Sequence, residues 1–567
     1  GIKPSECRGR ILFEDKSTMD KFSTKQGFLF YSFPLQEEEK AKIDGIQALL
    51  DYSGVDDLIT EKACKGMGGR PPYDPYKLFI AVLLGFTLRH PSLRDIESAC
   101  RNDLRFLYVM EGACPTYATI STFINKVVLP QKEELFSRVT NAIFALCALD
   151  KRNCYIDGTK LEADANRYKF VWKPTAWHEK LDGKVRNLLA LMGLGEDLPS
   201  DGFLPSSLVA IKIDRAKKIA DGGKSWPRML DSLTEYLLKI LEYEEKERIC
   251  GPYRNSYYKT DHDATAMCLK QDYYSGLGSS MHAAYSIQLV ACHGLVASYT
   301  VSQERSDMHL FAGAVDAFRS MHGVYPERIC ADAGYGCVEN WRYCHDHSIR
   351  GFIKYNSWSG ERSGRNPAVY ELEDDGSIKC LGGRKGYATQ IPNRHPKRKG
   401  AIFYRVDGCD GCQFMPYCRR FMNEKEGCSK IFEVDLDYQR YKQEARDLLL
   451  SVEGIEMRVN RSIQAEGAFG GIKQDMPYMR LRRTSLERAS LELMLTCLGF
   501  NLRKYMRFTV KKIKFNEWKA PDGTKPETFK TPSAKRLANR ERKKKMRSAN
   551  ETARDSYKYK KTNKGTV

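Results

Sequence analysis

The feature that most restricts the fold is an alternation of strand-like and helix-like segments in the middle of the chain. A hairpin signal, Cys292-His-Gly, separates two runs of strand-forming residues, and helical and strand periods then alternate. These segments are residues 284–291, 295–302, 307–322, 328–331, 338–347 and 351–355. Such an alternation predicts a mixed α/β sheet.

The rest of the chain is organised around this predicted core, and 567 residues exceed one ordinary domain. The predicted parts are an N-terminal extension (1–40), a helical region (41–150), an α/β domain (151–510) with a helical insertion (175–255) and a Cys-containing strand and loop insertion (357–450), and a basic tail (511–567). Short helices joined by tight turns in the helical region favour a helix-turn-helix-like DNA-binding domain, with a plain helical bundle as the alternative.

Positive charge is concentrated at the end of the chain. The net charge is +20, and residues 530–567 contain 14 basic and 3 acidic residues. Excess positive charge favours a polyanionic partner, although a solvated tail has the same composition. The basic block 535–547 is expected to bury almost nothing apolar and to be disordered or a lone helix.

Apolar and cysteine content restrict the compartment. The richest apolar run, residues 78–88, is shorter than the ~20 residues that cross a bilayer, so no membrane span is expected. Residues 1–10 are charged and polar, unlike a signal peptide. The 18 cysteines are therefore expected to be mostly reduced, in a cytoplasmic protein.

Two aspartates stand at corresponding places in predicted strands. Asp157 lies in Tyr155-Ile-Asp-Gly-Thr-Lys, and Asp332 ends the strand 328–331 before a glycine turn. Singly, each is more often a turn or capping residue. Together in a basic protein they favour a site for Mg²⁺, which prefers carboxylate oxygens. Two such ions can activate a hydroxyl and stabilise a leaving oxyanion in phosphodiester chemistry.

Four stretches, in this order, resemble the DDE transposases of bacterial insertion sequences. They are Tyr155-Ile-Asp-Gly-Thr-Lys-Leu-Glu-Ala-Asp-Ala-Asn-Arg-Tyr, Lys259-Thr-Asp-His-Asp-Ala-Thr, Ala331-Asp-Ala-Gly-Tyr-Gly and Arg461-Ser-Ile-Gln-Ala-Glu-Gly-Ala-Phe-Gly-Gly-Ile-Lys. The segment Gly69-Arg-Pro-Pro-Tyr-Asp-Pro and its following helices add to the likeness. The most similar branch has its third carboxylate in a Tyr-Arg-Glu-Lys signature.

The resemblance implies an RNase H-like core in which Asp157, Asp332 and Glu466 bind two Mg²⁺ or Mn²⁺ ions. It also implies cleavage at terminal inverted repeats, joining of the 3′-hydroxyl to target DNA, and a homodimer or larger synaptic complex. The alternatives are a nuclease that cuts without joining, and a DNA-binding regulator without enzymatic activity that derives from a transposase.

The signature around Glu466 is incomplete. Lys473 occupies the lysine position and returns to the face of Glu466 after seven residues of helix. Ser462 occupies the arginine position and Val459 the tyrosine position. Arg461 is one residue away from the arginine position, and on an ideal helix it would point ~140° away from Glu466. Arg458 is a substitute, and Gly470-Gly471 weakens the helix enough to permit a local distortion.

Other residues are candidates for DNA contact. The segment 115–126 resembles a recognition helix, with Thr119 and Lys126 among its available side chains. Arg482 and Arg483 add positive charge near the Glu466 segment. The polar run from Asp261 to Asp263 either lines a DNA groove or forms an Asx turn.

Four cysteines fall within twenty residues, at Cys409, Cys412, Cys418 and Cys428. Clustered thiolates suit a closed tetrahedral Zn²⁺ site, which would be structural because four sulfurs leave no open position. Reduced thiols without a ligand and redox chemistry are the alternatives.

Overall fold

The N-terminal part of the protein is a compact set of short helices. The computed structural model describes residues 35–63, 73–90, 92–219, 223–270, 280–390, 401–418, 429–512, 515, 517–544 and 546. The N-terminal helices are α1 (Glu37–Ser53), α2 (Val55–Ala63), α3 (Pro75–Thr87), α4 (Leu93–Asn102), α5 (Leu104–Met110), α6 (Tyr117–Phe123) and α7 (Lys132–Leu146). A π-helical segment, Ile124–Val128, and a 3-10 turn, Leu129–Gln131, continue α6 into α7.

A six-stranded mixed sheet forms the centre of the molecule. Its strands are β1 (Asn153–Glu162), β4 (Thr265–Cys268), β5 (Met281–Cys292), β6 (Leu295–Ser302), β7 (Arg328–Ala331) and β8 (Arg350–Ile353). The order is β4-β5-β1-β7-β8, with β6 also pairing with β5. β5 is antiparallel to β1, whereas β7 and β8 run parallel to it. This mixed α/β fold, preceded by helices, confirms the RNase H-like core.

The connections of this sheet agree with the strand–helix alternation of the sequence. The β5–β6 turn places His293 and Gly294 at φ of 50° and 75°, as a two-residue hairpin of type I′ requires. Helix α11 (Phe311–His322) connects β6 to β7, and α12 (Val338–Asp346) connects β7 to β8. Both crossovers leave the carboxyl ends of β1, β7 and β8 at one edge of the sheet.

The helical insertion has a hydrophobic core of its own. It contains α8 (Thr175–Leu191), α9 (Ser206–Lys217) and α10 (Trp226–Cys250). Their buried side chains, including Val185, Val209 and Leu233, form a cluster separate from the main core. At its base, β2 (Phe170–Trp172) pairs with β3 (Ser256–Tyr258), so the two chain ends of the insertion meet.

The second insertion is a five-stranded antiparallel sheet. Its elements are α13 (Trp358–Arg362), β9 (Tyr370–Leu372), β10 (Ile378–Cys380), β11 (Lys385–Ala388), β12 (Ile402–Val406), α14 (Met415–Cys418) and β13 (Lys430–Val434). The strand order β13-β12-β11-β10-β9 is that of a meander. Within the described part of this insertion, the buried hydrophobic cluster consists of Ile378, Tyr404, Val406, Phe432 and Val434.

The C-terminal helices join the sheet to the N-terminal helices. They are α15 (Leu436–Leu450), α16 (Val452–Arg461), α17 (Gly467–Gly470) and α18 (Leu486–Lys511), with π-helical segments at Ser462–Glu466 and Gly471–Asp475. α18 packs against both α3 and β6, and one hydrophobic cluster extends from Ile43 to Met506. A Cβ at Gly499 would lie 2.8 Å from the carbonyl carbon of Phe86, so this close packing of α18 on α3 requires glycine.

The region after α18 is more closely packed than the sequence predicts. Glu517 accepts a hydrogen bond from Asn153 (3.0 Å), and Phe529 packs edge-to-face on Trp358. Residues 534–544 are helical, as one alternative predicted, but Leu537 is only 2% exposed. The prediction that this block buries almost nothing apolar is therefore wrong at Leu537. Lys545 and residues 547–567 lie outside the described residues. No helix within the described ranges is long and apolar enough to cross a membrane.

Candidate active site

The strand register places Asp157 and Asp332 side by side. β1 and β7 are parallel neighbours in which Tyr155 is opposite Cys330, and each aspartate follows two residues later. Because side chains alternate along a strand, both carboxylates lie on the same side of the sheet. The opposite side of β1 is crowded: a Cβ at Gly158 would lie 2.7 Å from Gln288 and 2.9 Å from the Tyr335 hydroxyl. Glycine at position 158 lets β1 pack closely against Gln288 and Tyr335, next to Asp157.

Arg461 brings the third carboxylate, Glu466, to the same place. Its guanidinium donates to Glu466 at 2.7 Å and lies 3.4 Å from Asp157 and 4.0 Å from Asp332. The prediction that Arg461 points away from Glu466 is wrong because residues 462–466 are π-helical. A π turn spaces hydrogen-bonded residues five apart, so residues 461 and 466 face one another. The helix is therefore distorted, as predicted, but the distortion begins at Ser462, before Gly470 and Gly471.

The other predicted arginine is directed elsewhere. Arg458 donates to the Glu527 carboxylate at 3.0 Å and to the carbonyl of Leu449 at 3.2 Å. It therefore anchors the segment after α18, and it does not join the three carboxylates.

The carboxylates differ in their environments. Burial raises the pKa of Asp157, and the charges of Asp332 and Glu466 add to the rise against the opposing effect of Arg461. Burial also acts to raise the pKa of Asp332, but the amide of Ala333 with Arg461 and Lys354 outweighs it and lowers the pKa. Burial would lower the pKa of Arg461, whereas Asp157 and Asp332 raise it overall. The site thus combines three carboxylates with one central arginine.

Lys473 lies beside this cluster. Its ammonium donates to Thr159, which is two residues beyond Asp157 and on the same side of β1. Burial lowers the pKa of Lys473 to about 8, helped by the nearby charge of Lys270. A groove of about 400 Å³ adjoins it and is lined also by Lys160, Lys270 and Asp307. Its three lysines outnumber its two carboxylates, Glu162 and Asp307, and a groove with net positive charge suits a phosphate backbone.

The predicted DNA-contact residues are in different situations. Lys126 and Arg482 have exposed side chains. Thr119 takes part in the N-terminal cap of α6: its amide donates to the Thr116 hydroxyl, and the two hydroxyls are 3.0 Å apart. Arg483 donates to Asn125 at 3.1 Å, so it joins the predicted recognition helix to the α/β domain. These contacts leave Lys126 and Arg482 as the side chains most available to a ligand.

The run from Asp261 to Asp263 has a structural role. Asp261 accepts from the Asp263 amide at 3.1 Å, which is the Asx turn among the two predicted alternatives. Asp261 and Asp263 also accept from the backbone amides of Ser485 and Leu486, where α18 begins. Carboxylates at a helix N-terminus are stabilising, so this run anchors α18.

Three of the four predicted zinc ligands lie together. Cys409, Cys412 and Cys418 line one small cavity of the strand insertion, and Cys428 lies outside the described residues. In the part of the chain that the structure describes, no three His, Cys, Asp or Glu side chains are positioned to hold a metal ion as they stand. At Asp157, Asp332 and Glu466, the guanidinium of Arg461 lies between the carboxylates that would bind a metal ion.

The sequence analysis missed Lys354. Its ammonium lies 3.6 Å from Asp332. The signal was available, because Lys354 follows β8, the parallel neighbour of β7, just as Asp332 follows β7. Positions after the ends of adjacent parallel strands meet at one edge.

Comparison with known families agrees with this geometry. A family model described as a transposase DDE domain matches residues 380–506, and one described as a transposase domain (DUF772) matches residues 33–126. These two matches indicate an insertion-sequence DDE transposase. The first match contains Arg461, Glu466 and Lys473 of this transposase, and the second covers its N-terminal helices. No curated protein and no solved structure matches the chain.

Proposed function

We propose that this transposase cuts DNA at the terminal inverted repeats of its element and joins the freed 3′-hydroxyl to target DNA. The observation that carries the proposal is the meeting of Asp157, Asp332 and Glu466, from β1, β7 and the π-helical segment, around one guanidinium. Residues so far apart in the chain share this position next to a basic groove.

The donor set fits divalent cations, which DDE transposases generally use. Three carboxylates face one buried arginine, and its Nε and Nη1 atoms have no hydrogen-bond partner among the described residues. This leaves an excess of negative charge around a guanidinium that has two unused hydrogen-bond donor atoms. Asp157, Asp332 and Glu466 would hold Mg²⁺ or Mn²⁺, which supplies hydroxyl activation and leaving-group stabilisation when bound.

The remaining residues position DNA in this proposal. Lys473 and Lys270 hold the phosphates that flank the scissile bond, since both line the groove beside Asp157. Lys126 and Arg482 contact the terminal repeat from their exposed positions, and Thr119 stabilises the start of the predicted recognition helix. Because two transposon ends are processed together, the active form is a homodimer or a larger synaptic complex.

A strand-transfer assay tests the proposal. DNA duplexes taken from both flanks of the gene, as intact and pre-cleaved ends, are incubated with the full chain, Mg²⁺ and target plasmid. Intact ends should be cut and pre-cleaved ends joined to the plasmid. Asp332→Asn should abolish both products, whereas Asp375→Asn should not, because Asp375 pairs with Lys385 on the strand insertion.

The other outcomes identify the rival functions. Cleavage without joining of pre-cleaved ends would indicate a nuclease. Specific DNA binding without either product, unchanged in Asp332→Asn, would indicate a regulator without enzymatic activity.

A further inference from the structure

We propose that the strand insertion holds a structural Zn²⁺ ion between Cys380, Cys409, Cys412 and Cys418. The ligand set differs from the one expected from sequence spacing, because Cys380 of β10 takes the place of Cys428. It is independent of the proposed reaction at the carboxylates.

The four cysteines face one small space. A cavity of about 30 Å³, the volume that one water molecule occupies in the liquid, is lined by all four. Two of the sulfurs lie against Gly382: a Cβ there would lie 2.9 Å from Cys412 Sγ and 3.7 Å from Cys380 Sγ. Cys418 lies close enough to Cys380, Cys409 and Cys412 to interact electrostatically with all three. The four cysteines therefore come from two separate segments of the chain and line the same cavity.

The backbone around the cysteines has the form of ligand-bearing turns. The Cys412 amide donates to the Cys409 carbonyl at 3.2 Å, which closes the Cys-x-x-Cys turn. In the β10–β11 turn, the Arg384 amide donates to Cys380 Sγ at 3.4 Å. An amide directed at a sulfur stabilises the thiolate form that binds metal, as outer hydrogen bonds do at metal sites generally.

The charges near the cavity favour a thiolate site. Four thiolates and one Zn²⁺ carry a net charge of about −2. Arg384 and Lys430 also line the cavity and offset this charge. A Zn²⁺ ion with ~2.3 Å Zn–S bonds in tetrahedral geometry would hold the four sulfurs roughly 3.8 Å apart.

The insertion also needs such a link. Among the described residues, its core has five buried hydrophobic side chains with partly buried ones packed on them, a small core for a five-stranded sheet. A metal at this point would join the β10–β11 turn to the segment between β12 and α14. Small domains of this kind gain much of their folding free energy from structural zinc.

Metal analysis of matched variants tests the ligand set. The full chain, purified under reducing conditions, should contain one zinc per molecule, and X-ray absorption should show four sulfurs at ~2.3 Å. Cys380→Ser should lose the zinc or hold it with three sulfurs, whereas Cys428→Ser should retain it with four. Retention in Cys380→Ser with loss in Cys428→Ser would overturn the assignment, as would a wild-type chain without zinc.

Alkylation of the wild-type chain provides a second test that needs no variant. Mass spectrometry should show that Cys380, Cys409, Cys412 and Cys418 react slowly and are released together when a chelator is added. Cys428 should react at a rate that the chelator does not change. Alkylation of Cys380 that is independent of the chelator, or a Cys380 disulfide in the purified chain, would contradict the site.

Discussion

Arg461 offsets part of the negative charge of the carboxylate site. Its side chain is 5% exposed, and it is the common neighbour of Asp157, Asp332 and Glu466. A buried arginine in this position is stabilising only while its partners are ionised. Removing it leaves three carboxylates that repel one another, so bound cations should become more important for stability.

Arg461→Gln should therefore destabilise the metal-free protein, and Mg²⁺ should restore part of the loss. The expected loss is about 2–3 kcal/mol, below the value for a fully buried pair because Asp332 and Glu466 are half exposed. Urea unfolding with and without Mg²⁺ measures it. Arg458→Gln is the matched control, since it loses an ion pair with Glu527 away from the carboxylates. An equal Mg²⁺ response in both variants would contradict the role of Arg461.

Lys473 should make DNA binding sensitive to pH. Burial lowers its pKa to about 8, so the ammonium is present below that pH and is lost as the pH rises through it. Affinity for DNA at constant salt should fall at or above pH 8, because a bound phosphate stabilises the ammonium. In Lys473→Arg this fall should disappear, since guanidinium remains charged.

Lys504 provides the control for this pH effect. Burial also lowers its pKa to about 8, but its ammonium donates to the carbonyl of Gly294. Lys504→Arg should leave the fall in affinity unchanged. If fluorescence anisotropy shows the same pH profile for the wild type and Lys473→Arg, Lys473 does not contact phosphate.

At the scale of elements, local sequence predicts the strands better than the helix that carries Glu466. Asp157 and Asp332 were predictable because strand-forming residues and a glycine turn fix their positions. The direction of Arg461 was not, because the π-helical segment depends on contacts distant in sequence. Gln464, 3% exposed, accepts from the Gly294 amide of the β5–β6 hairpin at 2.8 Å. Cys380 was missed as a proposed zinc ligand for the same reason. It lies near Cys409 only because the antiparallel meander brings β10 and the segment after β12 together.

Gln464→Leu should loosen the π-helical segment. The buried Gly294 amide would lose its acceptor, which costs about 1–3 kcal/mol. Strand transfer should decrease more than this loss of stability explains, because Glu466 would leave Arg461. Ile463→Ala is the control, since Ile463 is 54% exposed and its truncation should change stability by less than ~0.5 kcal/mol. Unfolding and joining assays on both variants separate the effects, and full joining by Gln464→Leu would contradict this anchor.

At the scale of the whole molecule, the hydrophobic clusters define which parts fold together. The N-terminal helices and the central sheet share one cluster through α18, whereas the helical insertion has its own. The predicted boundary near residue 150 therefore separates the N-terminal helices from the α/β domain in sequence, although the two share one hydrophobic core. Periodicity along the chain identifies elements, but it does not show which of their buried faces meet.

The helical insertion should be removable. Trp172 pairs directly with Ser256, so replacing residues 173–255 by Asn-Gly gives a two-residue hairpin between β2 and β3. The shortened chain should retain one cooperative thermal transition and its near-ultraviolet circular dichroism. Deleting Glu37–Ser53 removes only a single helix, yet that helix belongs to the shared core and its loss should abolish cooperative unfolding. Similar behaviour of the two deletions would show that the clusters are not independent.

The basic helix 534–544 should add affinity for DNA without adding sequence preference. With Arg365 it lines a cavity of about 730 Å³ that includes Lys535, Arg536, Arg540, Lys543 and Lys544. Lysine and arginine side chains in such an arrangement contact phosphates, and each phosphate neutralised adds about 0.9 to the slope of log affinity against log salt.

Truncation after residue 532 isolates this contribution, because Glu517, Glu527 and Phe529 remain packed on the core. Affinity for terminal-repeat and random duplexes should fall by the same factor, and the salt dependence of both should flatten. Joining of pre-cleaved ends at saturating DNA should persist, because Asp157, Asp332 and Glu466 are unchanged. Selective loss of terminal-repeat binding, with random-DNA affinity intact, would show instead that the basic helix contacts base edges.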